Sequence, residues 1–160
     1  MKIVVMGVSG CGKSSVGKAL AQKIGANFID GDDLHPESNK KKMSSGVPLD
    51  DSDRWPWLQS VGETLEGNQN IVVACSALKE VYRERILSFA PGTKFIHLNG
   101  SKEMLLSRLK KRSDHFMPTE LLDSQLQTLE QLAPSEPGRV FDIGKPIGQL
   151  VSDIAHWVEG

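Results

Sequence analysis

Apolar residues fall along the chain in two alternating rhythms. Short β-branched runs at Ile3–Met6, Phe28–Asp30, Ile71–Cys75, Phe95–Leu98 and Val140–Ile143 predict five strands, with Ile71–Cys75 the most deeply buried. Between them lie longer segments whose apolar positions recur every three or four residues. Val16, Leu20 and Ile24 gather on one face of a helix predicted over 14–24, and Leu105 and Leu109 sit one turn apart in a helix over 102–112. Leu150, Val151, Ile154 and Val158 repeat in a last helix that starts at Ile147, and further helices are predicted over 55–66, 78–89 and 119–132. Strands alternating with helices imply an α/β fold with a mainly parallel sheet. One stretch breaks the rhythm. From Gly31 to Asp53 the chain is polar, carries Lys40, Lys41 and Lys42, and is punctuated by Pro36, Gly46 and Pro48, so it reads as loops with room for one short helix. An insertion of that length is often functional.

The 160 residues suffice for one domain, 1–160, whose core buries roughly 70% of the surface of the unfolded chain. Nineteen Lys and Arg against twenty Asp and Glu leave a formal charge of −1, so no basic excess announces a nucleic acid or an anionic membrane. No apolar run approaches the ~20 residues of a bilayer span. Met1–Met6 is too short for the core of a signal peptide. Cys11 and Cys75 are too few for a disulfide framework and lack the paired spacing of a zinc site, so they read as reduced thiols of a cytoplasmic protein. Cys11 stands near a predicted helix N-terminus, a place that lowers a thiol pKa.

Chemistry concentrates after the strands. Gly7-Val8-Ser9-Gly10-Cys11-Gly12-Lys13-Ser14 fits G-x-x-x-x-G-K-[ST] and lies between a predicted strand and a predicted helix, the context that motif requires. Its glycines free backbone N–H groups for phosphate oxygens, Lys13 reaches the β and γ phosphates, and Ser14 can hold Mg²⁺. Gly7, Gly10, Cys11, Gly12, Lys13, Ser14 and Ser15 are therefore the candidate ATP contacts. No N-K-x-D segment offers guanine recognition, which disfavours a GTP switch. Asp30-Gly31-Asp32-Asp33-Leu34-His35-Pro36 follows the second strand, and carboxylates at the C-terminal end of a parallel strand face the ligand crevice. Asp30 suits a metal's water shell, and Asp32 suits the proton or orientation of an attacking hydroxyl. Arg108 and Arg112 share a helix face beside His115 and Phe116 in a polar segment that could cover a nucleotide, so Arg108 is a candidate ATP contact and Arg112 a candidate for the transferring phosphoryl group. Lys79 and Arg83 repeat the four-residue spacing and could clamp a carboxylate. His97, inside a strand, reads as a satisfied buried or edge histidine, and Trp55 and Trp57 as packing residues.

With these residues in view the chain resembles the gluconokinase family. The resemblance rests on Gly7–Ser15, on Asp30–Pro36 with Asn39, on Lys42-Met43 with Gly46 and Pro48-Leu49, and on Asp53-Arg54 with Pro56-Trp57-Leu58. It continues through Cys75–Lys79 with Tyr82-Arg83, and His115-Phe116-Met117 with Ser124-Gln125. It implies ATP-dependent phosphorylation of the terminal hydroxyl of D-gluconate. It also implies a P-loop NTPase of the nucleoside-monophosphate-kinase-like, three-layer type, with five parallel strands in the order 2-3-1-4-5, a lid near 112–122 and commonly a homodimer. Similarity to shikimate kinases, whose strand also ends in Asp-x-Asp, implies Asp30 for Mg²⁺ and Asp32 for the acceptor hydroxyl. For gluconate, Arg54, Lys79 and Arg83 would meet the carboxylate, and Asp32, His35 and His115 the rest of the molecule. A kinase of another small acid such as shikimate, or of a nucleotide, and a non-catalytic ATP-binding module are the alternatives.

Overall fold

The computed structural model describes residues 1–111 and 119–160. Its strands are β1 (Lys2–Met6), β2 (Asn27–Asp30), β3 (Ile71–Ala74), β4 (Lys94–Asn99) and β5 (Gly138–Asp142). Its helices are α1 (Lys13–Ile24), α2 (Glu37–Ser44), α3 (Asp51–Glu66), α4 (Glu80–Phe89), α5 (Lys102–Lys111), α6 (Thr119–Thr128) and α7 (Ile147–Glu159), and a 3-10 turn spans Gly31–Leu34. The sheet order is β2-β3-β1-β4-β5, and every neighbouring pair is parallel. The expected 2-3-1-4-5 topology is therefore observed.

Period-two alternation in β1 explains the layers. Ile3 and Val5 point into one core with Leu20 and Ala21 of α1 and with Leu150, Val151 and Ile154 of α7. Val4 and Met6 point into the opposite core with Trp57, Leu58, Val61 and Leu65 of α3 and Tyr82 and Ile86 of α4. All four of these β1 side chains are fully buried, as expected for a central parallel strand covered on both faces. The phosphate-type loop thus hangs from the best-anchored strand in the molecule.

Boundaries differ from the sequence reading where polar caps act. α3 begins at Asp51, four residues before the expected start, because Asp50 and Asp53 exchange hydrogen bonds with each other's backbone N–H in a capping box. Pro56 lies inside this helix without ending it. α6 stops at Thr128, short of the expected Leu132. Arg112, His115 and most of the expected lid over 112–122 lie outside the described residues; Leu122, at its far end, is fully buried in the core beside α1 and α7.

Candidate active site

Loop 7–12 connects β1 to α1 through backbone conformations that side chains rarely adopt. Gly12, at φ +91°, caps α1 in the left-handed region with no side-chain acceptor for the helix's first N–H groups, which stay open to an anion. A Cβ at Gly7 would come within 2.8 Å of both the Leu98 carbonyl and Cys11 Sγ, so glycine is required for close packing there. Lys13 folds back over the loop and donates from Nζ to the Val8 carbonyl at 3.2 Å. Ser14 Oγ lies 3.3 Å from Asp30 Oδ2, while Asp30 Oδ1 accepts from the Asp32 N–H at 3.0 Å. This hydroxyl and carboxylate are hard oxygen donors of the kind that hold Mg²⁺ together with water and phosphate.

Cys11 corrects one expectation. Its buried thiol is pushed up by desolvation, which outweighs the lowering influence of Lys13 and the loop N–H groups. Burial likewise raises Cys75 to about 12. Neither is an activated nucleophile.

Two cavities meet at Asp32. One, of about 560 Å³, is lined by Gly10, Gly12, Lys13, Ser14, Asp30 and Asp32. The other, of about 540 Å³, is lined by Asp32, His35, Arg54, Trp57, Tyr82 and Leu121 among others. Asp32, Met43, Ser76 and Gln125 border both. Asp32 is exposed to this open cleft, yet its carboxyl is raised, first by the desolvating packing around it and then by the nearby Asp30 charge, against the pull of Lys13. On the other side of the loop, Arg108 donates to the Ile143 carbonyl at 2.6 Å and joins Gly10, Gly12 and Ser15 around a cavity of about 340 Å³. A larger cavity, about 970 Å³ between β5 and α7, contains none of the loop or acceptor-side residues.

The acceptor-side cavity has a built wall. His35 is buried and stacks on Trp57 with ring centroids 4.2 Å apart and planes 14° from parallel. Trp57 donates from Nε1 to the Gly31 carbonyl at 2.8 Å, so a residue expected only to pack also shapes the site. Asn39 Nδ2 contacts both His35 Nδ1 at 3.2 Å and the Asp53 carbonyl at 2.8 Å. Burial, then the charges of Arg54 and Lys40, lower His35 to about 4. Arg54 lies 3.2 Å from the Tyr82 hydroxyl, which donates to Asp51 at 2.5 Å. Lys79 reaches the same Asp51 at 3.4 Å, at the rim rather than in the cavity wall.

Arg83 is the clearest correction. It is fully buried, pairs with Glu136 through Nε at 2.6 Å and Nη2 at 3.1 Å, and donates from Nη1 to the Ala77 and Leu78 carbonyls at 2.9 and 3.2 Å. The remaining Nη2 hydrogen is directed at the Gln131 carbonyl at 3.5 Å, so all five donors are engaged within the protein and Arg83 fastens the turn behind Ser76 rather than a ligand carboxylate. That turn includes Ala77 at φ +43°, the one non-glycine residue with positive φ among the described residues. His97 departs from its expectation as well: it is buried, its Nδ1 has no partner among the described residues, and burial and the Arg83 charge lower it to about 4. Gln125 gave no signal of contact with the loop, yet its Oε1 accepts from the Ser9 N–H at 2.7 Å across 116 residues of sequence.

Known proteins place this arrangement. The AAA domain family model matches residues 3–132. A probable gluconokinase of Xenopus tropicalis is 47% identical over 180 aligned positions, covering 99% of this chain and 94% of that one. The crystal structure of a gluconokinase from Sinorhizobium meliloti 1021 superposes with a TM-score of 0.88 at 44% identity, covering 99% of this chain and 95% of that one. A shikimate kinase structure from Bacteroides thetaiotaomicron, 19% identical with a TM-score of 0.72 and covering 99% and 98% of the two chains, shares the fold alone.

Proposed function

We propose, since this chain belongs to the gluconokinase family, that it transfers the γ-phosphoryl group of ATP to the terminal hydroxyl of D-gluconate, giving 6-phosphogluconate and ADP. The observation that carries this reading is Asp32, whose carboxylate stands where the loop cavity and the acceptor cavity meet.

The roles follow from placement. The N–H groups of loop 7–12 and the start of α1 bind the phosphates, and Lys13 exchanges its contact with the Val8 carbonyl for the β and γ oxygens. Ser14 and Asp30 hold Mg²⁺, which when bound offsets phosphate charge. Arg108 lines the far side of the loop for the nucleotide. Arg54, aided by Lys79 at the rim, attracts the gluconate carboxylate. Asp32 orients the attacking hydroxyl and takes its proton as the new P–O bond forms and the bond to the β–γ bridging oxygen breaks. Its raised pKa brings it closer to the range in which a carboxylate can accept that proton. Arg112 and His115 stay in the proposal for the phosphoryl group and the acceptor on the strength of the sequence. Homodimer assembly, supported by the family resemblance, and a cytoplasmic place, supported by two buried free cysteines, belong to the same reading. Among the described residues, no helix is long and apolar enough to cross a membrane.

A coupled ADP-release assay across gluconate, shikimate, glycerate and nucleoside monophosphates, with and without chelator, tests the proposal. Gluconate should give the highest kcat/KM, chelation should stop turnover, and Lys13→Ala should remove it. Faster turnover of any other acceptor overturns the substrate.

A further inference from the structure

The amide of Asn39 is buried between two groups that decide which way it faces. One is the Asp53 carbonyl, 2.8 Å away, and a carbonyl can only accept. The atom facing it must therefore be the amide nitrogen. The same nitrogen lies 3.2 Å from His35 Nδ1, so its second hydrogen is directed at the ring. A ring nitrogen that accepts carries no proton, and a neutral imidazole has one proton to place. It sits on Nε2. The two ring nitrogens lie on different edges, so with Nδ1 turned to Asn39 the Nε2–H edge is left for the cavity that His35 lines.

We propose that Asn39 is a positioning residue that locks His35 as a neutral Nε2–H donor to a hydroxyl oxygen of the acceptor, so that this wall selects polyhydroxylated acids by donating a hydrogen bond rather than by charge. The proposal rests on reading the cavity as the gluconate site. Division of labour in the cavity supports it: Arg54 supplies the cation, Asp32 the hydrogen-bond acceptor, and His35 a neutral donor in the same lining. Stacking on Trp57 fixes the plane of the ring, and Asn39 fixes its protonation. The charged groups facing His35 are Arg54 from α3 and Lys40 from α2, both cations that oppose a second ring proton, while Asp32 lines the same cavity. Its low pKa, about 4, keeps the ring neutral throughout the physiological range.

The tautomer can be read directly. Long-range ¹⁵N–¹H correlation spectra of the intact, ligand-free protein with labelled histidine should show His35 protonated at Nε2 alone and unchanged between pH 5.5 and 8. A proton on Nδ1, or a titration near the ordinary histidine value, overturns the lock whether or not gluconate is the substrate. The functional half is read with Asn39→Asp. A carboxylate there takes the Nδ1 proton and leaves Nε2 bare in the neutral ring, while also raising the ring's pKa. The gluconate KM of this variant should rise about tenfold as pH climbs through that pKa, the worth of one hydrogen bond, with the KM for ATP unmoved. The parent should show no such pH-dependent rise. A flat profile in a folded variant overturns the positioning role. Should Asn39→Asp not fold, His35→Gln, which keeps a donor, and His35→Leu, which does not, replace it: equal gluconate KM values for the two overturn donation. If the parent does not phosphorylate gluconate, the substrate reading fails separately, and the spectrum still decides the lock.

Discussion

Removing the cation from the Arg83–Glu136 pair should be among the most damaging single changes outside the loop. Arg83→Met fills much of the same volume but leaves Glu136, whose side chain is 7% exposed, with only the Ala133 N–H at 2.7 Å. It also strips the Ala77 carbonyl of its donor, whereas Leu78 keeps a bond from the Glu130 N–H at 2.7 Å. Breaking one side of a buried pair costs about 3–5 kcal/mol, which for a chain of this length lowers Tm by about 6–20 °C. The pair also has a pH signature. Burial alone would raise the Glu136 carboxyl, but hydrogen bonds from Arg83 and the Ala133 N–H hold it below the ordinary glutamate value. A carboxyl depressed in the folded state contributes stability that is present above its unfolded pKa and lost as pH falls through the folded one. Urea titrations of parent and variant should therefore differ most at neutral pH and converge on acidification. The double variant Arg83→Met/Glu136→Leu should recover part of the loss, because an apolar pair of similar volume removes the unpaired buried charge, while the Ala77 carbonyl and the Ala133 N–H stay without these partners. Gluconate kinetics of that double variant then decide Arg83's role. A folded double variant whose gluconate KM has risen about a hundredfold would refute the placement of Arg83 outside the binding site.

Three further outcomes are expected. Asp32→Asn should lower kcat about 10²–10⁴-fold with the KM for ATP nearly unchanged, while Asp33→Asn, exposed and lining neither cavity, keeps its kcat; equal losses in steady-state assays would show that Asp32 only shapes the turn. Gly31→Ala should destabilise by at least about 1–3 kcal/mol in urea, since its Cβ would strike the Ala74 carbonyl and crowd Cys75, and a neutral result would mean that β2 and β3 can part at no cost. Because burial raises both thiols, folded protein at pH 8 should react with Ellman's reagent no faster than it opens, and a rapid burst from Cys11 would restore it as a reactive residue.

The sheet and most of its helices were legible because periodicity is a local signal that the two packed faces reinforce. Each expected strand appears within a residue or two, since β1, β3 and β4 are hydrophobic enough to be buried on both sides. The start of α3 was hidden because Asp51–Asp53 belong to the polar stretch that reads as loop, and only the Asp50–Asp53 box, a pairing of side chains with backbone N–H groups, turns those residues into the first turn of the helix. Site residues divided along the same line. Lys13 and Ser14 open α1 just after β1, and Asp30 and Asp32 end β2 and enter the turn that follows it, so their place at the strand ends carried their meeting. Arg83 was misread because its spacing from Lys79 suggested a shared face, whereas its partner Glu136 is 53 residues away. Nothing local marks such a pairing. The His35–Asn39 contact spans only four residues, but its consequence depends on the Asp53 carbonyl arriving from another helix.

Strand order also sets a timetable for synthesis. β1 lies between β3 and β4, and its registered partners are distant: Lys2 meets Ile71, and Ile3 meets Lys94. At a ribosomal pace of roughly 5–20 residues per second, β4 follows β1 by about 5–20 s. Throughout that interval the strand that carries the phosphate-binding loop has one edge without its partner, and before Ile71–Ala74 emerge it has neither. Ile3, Val4, Val5 and Met6, among the most protected side chains of the finished enzyme, are thus exposed on the nascent chain before their partners are made, a natural foothold for a chaperone that holds unfolded chains.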